Sequence, residues 1–308
     1  MTSPITFHSL KSVLVIGAVN RDIKARCCDP IMHLADSNSA IISQHDGGVA
    51  RNIAEVLGRL HVPTTFISAF GSDDISHKMR ANMESHNIDL SHIIIHENMR
   101  SDIFISIHDV DGELITAVNQ MTLIKYITPA YIHSKQELIA AADFVICDCN
   151  LPQDTLAAIA TTQRSGRLVI DGVSSSKVMR IREIIDEVDI LKVSRIEALA
   201  LSDAHEQSSA ESLVHSLCDK GIGQAIVSDG PEGFFINNGT QIHHFEAISA
   251  TPQTVTGAGD CLLGGYIYGL ASGQDIVRAC EIGRQTAFLS TKSVESVSNY
   301  ITLDNLIT

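Results

Sequence analysis

The sequence lacks the features that mark membrane, secreted or fibrous proteins. It has no tryptophan, only 5% aromatic residues and 7 prolines in 308 residues. No apolar run approaches the ~18–20 residues that a membrane helix requires. The first residues also lack the basic segment and following apolar segment of a secretory signal. With 44% hydrophobic and 19% charged residues, the chain is expected to be a globular protein of the cytoplasm without a membrane partner.

Positive charge and paired cysteines are also scarce. A formal net charge of −14 repels phosphate backbones, so no nucleic-acid polymer is expected as a partner. A small anion can still bind at a helix terminus, where the local field differs from the global one. The 7 cysteines are scattered, and residues 27–28 and 147–149 lack the spacing of a zinc site. We therefore expect reduced thiols.

Short apolar runs alternate with helical stretches along the chain. The runs lie at residues 12–16, 65–67, 144–146, 168–170, 190–193 and 225–227. Helical patterns lie between most of them, as at residues 50–60 and 211–220. This alternation predicts an α/β fold in which helices cover both faces of a mainly parallel sheet. Because neither repeats nor long linkers interrupt the chain, one domain over residues 1–308 is expected.

Two segments depart from this alternation, at about residues 20–45 and 100–121. In the second segment, residues 109–112 contain an Asp-Gly turn sequence between two apolar runs, which is typical of a hairpin. We expect both segments to form a small antiparallel β-lid outside the main sheet. Such a lid would exclude water from a reactive phosphate. Its exposed edges favour a homodimer in which two lids pair.

The strongest local motif opens an apolar helix at residues 255–260. Gly257, Ala258 and Gly259 are small, so the backbone N–H groups at this helix start are expected to be bare and to suit a phosphate anion. Asp260 follows in the first turn, where a carboxylate can accept a proton from an attacking hydroxyl. A glycine-rich helix start without any ligand is the alternative interpretation. The chain has no GxxxxGK[ST] motif, so it is not expected to be a P-loop protein. Leu262 stands where a dinucleotide-binding fingerprint requires glycine, so a Rossmann motif is not expected either.

A second polar motif lies at residues 46–54. Gly47 and Gly48 allow the backbone to approach a ligand, and Asn52 offers both a donor and an acceptor to sugar hydroxyls. Asn20 and Asp22 follow the first predicted strand, at the edge where open α/β sheets bind ligands. For these two residues an ordinary turn is the alternative.

These motifs together resemble the ribokinase, or PfkB carbohydrate kinase, family, whose two signatures have the same order and a similar separation. The resemblance covers essentially the whole chain and implies a ribokinase-like fold. It also implies an ATP-dependent kinase that uses Mg²⁺ and, as an optional further cation, K⁺. The implied catalytic residues are Asp260 as the base and Gly257, Ala258 and Gly259 as an anion hole. The implied sugar-binding residues are Asp22, Gly47, Gly48 and Asn52.

The resemblance extends to the nucleotide and metal sites, with one departure. The turn at residues 228–233 resembles the family's nucleotide-binding turn, which implies ATP contacts from Ser228, Gly230 and Gly233. Where the family carries Asn-x-x-Glu tied to magnesium, this chain has Ser194 and Glu197. Glu197 remains the implied metal-binding residue. Since a serine hydroxyl can hold a metal-bound water, Ser194 is expected to weaken metal handling without abolishing it; a catalytically dead binding protein is the alternative.

Within the family, several stretches resemble the bacterial pseudouridine kinases. They are residues 34–38, 47–54, 117–119, 148–150 and 171–177. This resemblance implies the ribose 5′-hydroxyl of pseudouridine as the phosphoryl acceptor. It also implies substrate contacts from a set of polar residues, namely Asp36, Ser37, Asn38, Asn119, Asn150 and Lys177. A kinase of the same fold that acts on ribose, adenosine or a related sugar is the alternative, as is a solvated loop role for each of these side chains.

Overall fold

The computed structural model describes residues 10–249 and 252–306. Residues 1–9, to which the expectation of no secretory signal applies, lie outside this part of the chain. The strands are β1 (Val13–Ile16), β2 (Asn20–Cys27), β3 (Ala40–Gly47), β4 (Thr64–Ile67), β5 (Ala69–Gly71), β6 (Ile88–Asp89), β7 (Ile94–His96), β8 (Ile103–His108), β9 (Leu114–Gln120), β10 (Phe144–Asp148), β11 (Arg167–Asp171), β12 (Ile190–Ser194), β13 (Gln224–Ser228), β14 (Phe234–Asn237) and β15 (Ile242–Phe245).

The helices fall between the strands. They are α1 (Val49–Arg59), α2 (Asp74–Ser85), α3 (Pro129–His133), α4 (Gln136–Ala141), α5 (Gln153–Thr161), α6 (Ser175–Val178), α7 (Arg195–Ser202), α8 (Ala210–Asp219), α9 (Ala258–Ala271), α10 (Ile276–Ser290) and α11 (Leu303–Leu306). The predicted strands and helices are found with end shifts of at most two residues. No helix within the described ranges is long and apolar enough to cross a membrane.

The main sheet has the strand order β15-β14-β13-β12-β11-β10-β1-β4-β6. The strands from β13 to β6 pair in parallel, whereas β14 and β15 extend one edge in the antiparallel direction. Strands β1 and β10 are buried along their whole length, which explains why their sequences are apolar runs rather than alternating ones. The mainly parallel sheet predicted from the sequence is confirmed.

Helices cover both faces of this sheet. Successive side chains of β1 point to opposite faces, so Leu14 and Ile16 pack into one hydrophobic cluster while Val13 and Val15 pack into the other. Helices α5, α7 and α8 contribute to the first cluster, and α1, α9 and α10 contribute to the second. The protein is therefore a three-layer α/β/α structure, as predicted.

A second sheet, with the order β3-β2-β8-β9, is built from the two segments that were expected to form a lid. Pairs β2–β3 and β8–β9 are antiparallel hairpins. At the predicted turn, the Asp109 carboxylate accepts hydrogen bonds from the amides of Asp111 and of Glu113, the residue after the turn. The expectation of an antiparallel lid is wrong for the central pair, because β2 and β8 are parallel. The starts of β2 and β8 are neighbours, because the amide of Arg21 donates to the carbonyl of Asp102 at 2.8 Å. Both strands lead away from this point and therefore run in the same direction.

Candidate active site

The carboxyl ends of the parallel strands bring several charged side chains to one edge of the main sheet. Asp148 ends β10 and is paired in register with Asp171, which ends β11. Asp171 is in turn paired with Lys192 of β12, and Ser194 is paired with Ser228 of β13. This edge is where open α/β sheets bind their ligands. The sheet thus places Ser194 and Ser228, two of the residues expected to bind ATP, beside the charged residues Asp148, Asp171 and Lys192.

Helix α9 points its amino terminus into this edge. Its cap residue, Gly257, has φ 80°, and a side chain there would also run into the carbonyl of Ser296. The amide of Ala258 donates to the carbonyl of Val255 at 3.2 Å, so the expectation of a bare amide is wrong for this residue. The amides of Gly257 and Gly259 have no acceptor among the described residues. Two amides therefore remain open for an anion at the positive end of the helix dipole.

The carboxylate of Asp260 is held in the first turn of α9. The side chain is 8% exposed, and the amide nitrogen of Asn52 donates to its Oδ2 at 2.6 Å. Burial and the nearby Asp171 raise the pKa of Asp260 to about 7, against the lowering effects of Lys192 and Asn52. A carboxylate with a pKa near neutrality is matched to the task of a general base. This geometry brings two predicted residues, 208 positions apart in the chain, into direct contact.

Lys192 is a residue of this site that motif analysis missed. It is 7% exposed, and its Nζ lies 3.0 Å from Oδ2 of Asp171. A methyl group on Gly259 would lie only 2.5 Å from the same Nζ, so the ammonium presses against the first turn of α9. Burial opposes the charge, but the carboxylates of Asp171 and Asp260 raise the pKa of Lys192 above its ordinary value. The available signal was a single lysine within the apolar run at residues 190–193.

A buried cation beside a helix amino terminus is unfavourable unless anions compensate it. Here the carboxylates of Asp171, Asp260 and Glu197 surround the ammonium of Lys192, with Asp171 in direct contact. The ammonium and the open amides of α9 lie side by side and are the groups of this region that can receive an anion such as a phosphate group.

The residues expected to bind a sugar are also brought together. Strand β2 places Asn20 opposite Gly47 of β3, and the amide nitrogen of Asn20 donates to Oδ1 of Asp22 at 2.5 Å. A side chain at Gly47 would collide with the Asp22 carboxylate, which therefore lies across the glycine backbone. Gly48 caps α1 with φ 102°, a conformation that residues other than glycine rarely adopt. Helix α1 then presents Asn52 near Gly47 and Asp22.

Asp148 ties three chain segments together beneath this region. It is fully buried, and its carboxylate accepts hydrogen bonds from the amides of Ala18 at 3.0 Å, Ala50 at 2.9 Å and Asn150 at 2.8 Å. These bonds join the end of β1, the start of α1 and the turn after β10. Asp148 therefore fixes the relative positions of the segments that carry Asn20, Asn52 and Asn150.

A cavity of about 430 Å³ lies beyond the β10 turn. Its lining includes three of the predicted substrate residues, Asn119, Asn150 and Lys177. Nζ of Lys177 donates to the side-chain oxygen of Asn150 at 2.6 Å, and burial lowers the pKa of Lys177. The volume lies within the ~300–1,000 Å³ usual for small-molecule pockets.

Three other predicted substrate residues lie apart from this cavity, in the connection between β2 and β3. Asp36 and Ser37 are exposed, and the Asp36 carboxylate accepts a hydrogen bond from the Ser37 amide at 2.7 Å. The side chain of Asn38 binds the backbone of His33 in both directions. Their hydrogen bonds are thus local to the loop, and they do not line the cavity that contains Asn150.

The predicted nucleotide-side residues lie at the far end of the same sheet edge. Ser194 caps α7, where its hydroxyl accepts the Glu197 amide at 3.4 Å and the Glu197 carboxylate accepts the Ser194 amide at 2.9 Å. The hydroxyl of Ser228 donates to the carbonyl of Val193 at 3.4 Å. Gly230 and Gly233 form the turn after β13 with φ 55° and φ 91°.

Comparison with known proteins agrees with this architecture. The profile of the pfkB family carbohydrate kinases matches residues 10–302. The pseudouridine kinase of Escherichia coli K12 is 30% identical over 261 residues, which are 82% of each chain. A solved carbohydrate kinase of Agrobacterium tumefaciens superposes with a TM-score of 0.80 at 26% identity, over 97% of this chain and 96% of that one. Ribokinase of Arabidopsis thaliana, solved with ribose and ATP, superposes with a TM-score of 0.83 at 17% identity, over 97% and 99%.

The family match shows a phosphotransferase that uses an alcohol group as acceptor. The chain belongs to the pfkB family of carbohydrate kinases, which confirms the resemblance seen in its two motifs. It is accordingly a kinase of the nucleoside and sugar class.

Proposed function

We propose that this kinase transfers the terminal phosphoryl group of ATP to the 5′-hydroxyl of a nucleoside, with pseudouridine as the preferred acceptor and its 5′-phosphate as the product. The observation that carries the proposal is the placement of Asp260. Its carboxylate lies in the first turn of α9, next to the open amides of Gly257 and Gly259, and its pKa is raised to about 7 by burial and by Asp171.

In the proposed reaction, the acceptor hydroxyl lies between Asp260 and the phosphate. Asp260 takes the hydroxyl proton while the hydroxyl oxygen forms a bond to the terminal phosphorus and the bond to ADP breaks. The open amides of Gly257 and Gly259, together with Lys192, stabilise the charge on the transferred group. Asp22 and Asn52 hold the ribose hydroxyls, since both lie beside the glycine pair where a ligand can approach the backbone.

The nucleobase is assigned to the cavity of about 430 Å³ that contains Asn119, Asn150 and Lys177. A uracil ring alternates hydrogen-bond donors and acceptors along its edge, and these side chains offer both kinds of group. The Escherichia coli relative, a pseudouridine kinase, supports this acceptor over a free sugar. Asp36, Ser37 and Asn38 would contact the substrate only in a conformation in which the second sheet closes over the cavity.

ATP is assigned to the sheet edge near Ser194, Ser228 and the turn with Gly230 and Gly233. Within the described residues, no group of three or more His, Cys, Asp or Glu side chains could hold a metal ion. Mg²⁺ usually keeps several waters and binds one or two carboxylates with substrate phosphates, so the single Glu197 carboxylate fits it. Glu197, and Ser194 through a water, would hold the ion, which when bound supplies charge neutralisation on the ATP phosphates. Chelation should abolish turnover, and exchange of K⁺ for Na⁺ tests the second proposed cation.

The acceptor is tested by measuring ADP formation with pseudouridine, uridine, cytidine, adenosine, inosine and ribose. The proposal expects the highest kcat/KM with pseudouridine. A preference for ribose over every nucleoside would overturn the nucleoside assignment. No turnover with any acceptor, in the presence of Mg²⁺ and K⁺, would favour a binding protein that uses the same fold.

The location of the nucleobase is tested separately with the variant Lys177→Met. It should raise KM for pseudouridine by about tenfold, the effect of one lost polar contact. Free ribose, which has no base, serves as the matched control and should be phosphorylated as by the wild type. An equal rise of KM for pseudouridine and for ribose would show that Lys177 does not face the nucleobase.

We further propose that two chains associate through the second sheet and that the enzyme acts in the cytoplasm. The edge strands β3 and β9 expose large apolar side chains, with Ile41 at 68%, Ile42 at 63%, Leu114 at 58% and Val118 at 61% exposed. Exposed apolar edges favour pairing with another chain. Sedimentation should give a dimer for the wild type and a monomer for the double variant Ile41→Lys, Val118→Lys; a wild-type monomer at micromolar concentration contradicts the proposal.

A further inference from the structure

Helix α1 carries a buried ion pair immediately behind Asn52. Arg51 is 2% exposed and Glu55 is 3% exposed, one turn apart on the same helix. One terminal nitrogen of the Arg51 guanidinium donates to the Glu55 carboxylate. The other donates to the backbone carbonyl of Asp46 at 2.5 Å and to the side-chain oxygen of Asn52. Buried charges are costly to maintain unless they are paired and hydrogen-bonded, as the Arg51 guanidinium is here.

The guanidinium settles the orientation of the Asn52 carboxamide. An arginine has donors and no acceptor, so only the carboxamide oxygen of Asn52 can face Arg51. The carboxamide nitrogen must then face the opposite way, where it donates to the Asp260 carboxylate at 2.6 Å. Without Arg51 only Asp260 orients the carboxamide, so a rotation by half a turn, which would set oxygen against oxygen at Asp260, is no longer opposed from the other side.

We propose that Arg51 is a positioning residue for phosphoryl transfer: it locks the Asn52 carboxamide so that Asn52 presents a hydrogen-bond donor to the Asp260 carboxylate. The chain of contacts runs from Glu55 through Arg51 and Asn52 to Asp260. The hydrogen bonds of Arg51 go to Glu55, Asp46 and Asn52, and Arg51 does not line the cavity assigned to the nucleobase. The assignment rests on the proposed function only in that Asp260 is the base.

A second arginine provides a matched control for this contact chain. Arg59 binds the same Glu55 from the outer side, with Nε 2.9 Å from Oε1, and reaches Asn299 at 2.8 Å. It does not contact Asn52. The variant Arg59→Met therefore removes a cation from the same ion-pair group and leaves the Asn52 carboxamide locked.

The consequence for Asp260 can be separated from a plain charge effect. The groups that act on its carboxylate are Asp171, Asp148 and Lys192 at the sheet edge, together with the Asn52 donor. Removal of Arg51 alone deletes both the lock and one positive charge. The double variant Arg51→Met, Glu55→Gln deletes the lock but removes one charge of each sign, so the net charge stays constant.

The test is the titration of Asp260 by carbon-13 NMR of aspartate-labelled protein, with its signal assigned by comparison with Asp260→Asn. This readout needs no acceptor, so it stands even where the nucleoside assignment fails. We expect the Asp260 titration to move upward by about one pH unit in both Arg51→Met and the double variant, the size expected for loss of a hydrogen bond to a charged group. Arg59→Met should titrate as the wild type does.

The same variants should shift the acidic limb of the kcat/KM profile by the same amount and regain turnover at high pH, which a generally disordered site would not do. Should Arg51→Met fail to fold, Arg51→Lys replaces it, because a lysine keeps the charge but cannot bond Asn52, Glu55 and Asp46 together. A wild-type titration in the double variant would show that only charge matters and would overturn the lock. An unchanged titration in every Arg51 variant would overturn it as well.

Discussion

Replacement of Asp260 by asparagine should make the protein more stable and nearly inactive. The carboxylate is 8% exposed, and burial together with Asp171 raises its pKa to about 7 from an ordinary value of 3.8. Because the folded protein holds this proton more tightly than the unfolded chain, the contribution to stability is present below pH 3.8 and is lost as the pH rises through about 7. The whole difference corresponds to about 4 kcal/mol at 1.36 kcal/mol per pH unit.

The asparagine side chain of this variant carries no charge at any pH, so the gap between the variant and the wild type should grow with pH. Between pH 5 and pH 8 the free energy of unfolding should change in favour of the variant by about 2–3 kcal/mol. Urea denaturation at each pH measures it, and the exposed Asp219→Asn serves as a control that should show no such trend. In the same variant, kcat should fall by ~10²-fold or more through loss of the base.

Two results would refute this reasoning. A gap that stays constant from pH 5 to pH 8 would mean that Asp260 is ionised in the folded protein throughout this range. Turnover equal to that of the wild type would remove Asp260 from the mechanism.

Further variants test the ion pair of Lys192 beside Asp260 and the contact of Asp22 in the sugar-binding region. Lys192→Met leaves the buried Asp171 without its ion-pair partner, so it should lower the free energy of unfolding, measured by urea denaturation, by about 3–5 kcal/mol. The double variant Lys192→Met, Asp171→Asn should recover most of this loss. A double variant no more stable than the single one would contradict the pairing. Gly47→Ala places a methyl group against the Asp22 carboxylate, so steady-state kinetics should show a raised KM for the nucleoside and a nearly unchanged kcat; an unchanged KM would exclude Asp22 from substrate binding.

The fold was predictable because its main elements are expressed locally in the sequence. Apolar runs such as residues 144–146 are typical of strands buried on both faces of a sheet, and helical patterns between them favour parallel pairing. The parallel pairing of β2 with β8 was not predictable in this way. It depends on where two distant segments leave the main sheet, and the contact between Arg21 and Asp102 spans 81 positions.

The site was predictable only where its residues belong to motifs. Asp260, Asn52 and the glycines stand in short patterns with a recognisable chemical purpose. Lys192 stands in no such pattern, and Arg51 lies inside the motif at residues 46–54 without a chemical purpose that the pattern reveals. Their partners, Asp171 and Asn52, are shown only by packing. The availability of an amide is likewise a tertiary property, as the hydrogen bond between Ala258 and Val255 demonstrates.

A crystal structure with pseudouridine and a non-hydrolysable ATP analogue tests the central claim most directly. The account predicts the nucleoside 5′-oxygen within hydrogen-bonding distance of the Asp260 carboxylate and the terminal phosphate against the amides of Gly257 and Gly259. A terminal phosphate bound away from the start of α9, or a 5′-oxygen out of reach of Asp260, would contradict it.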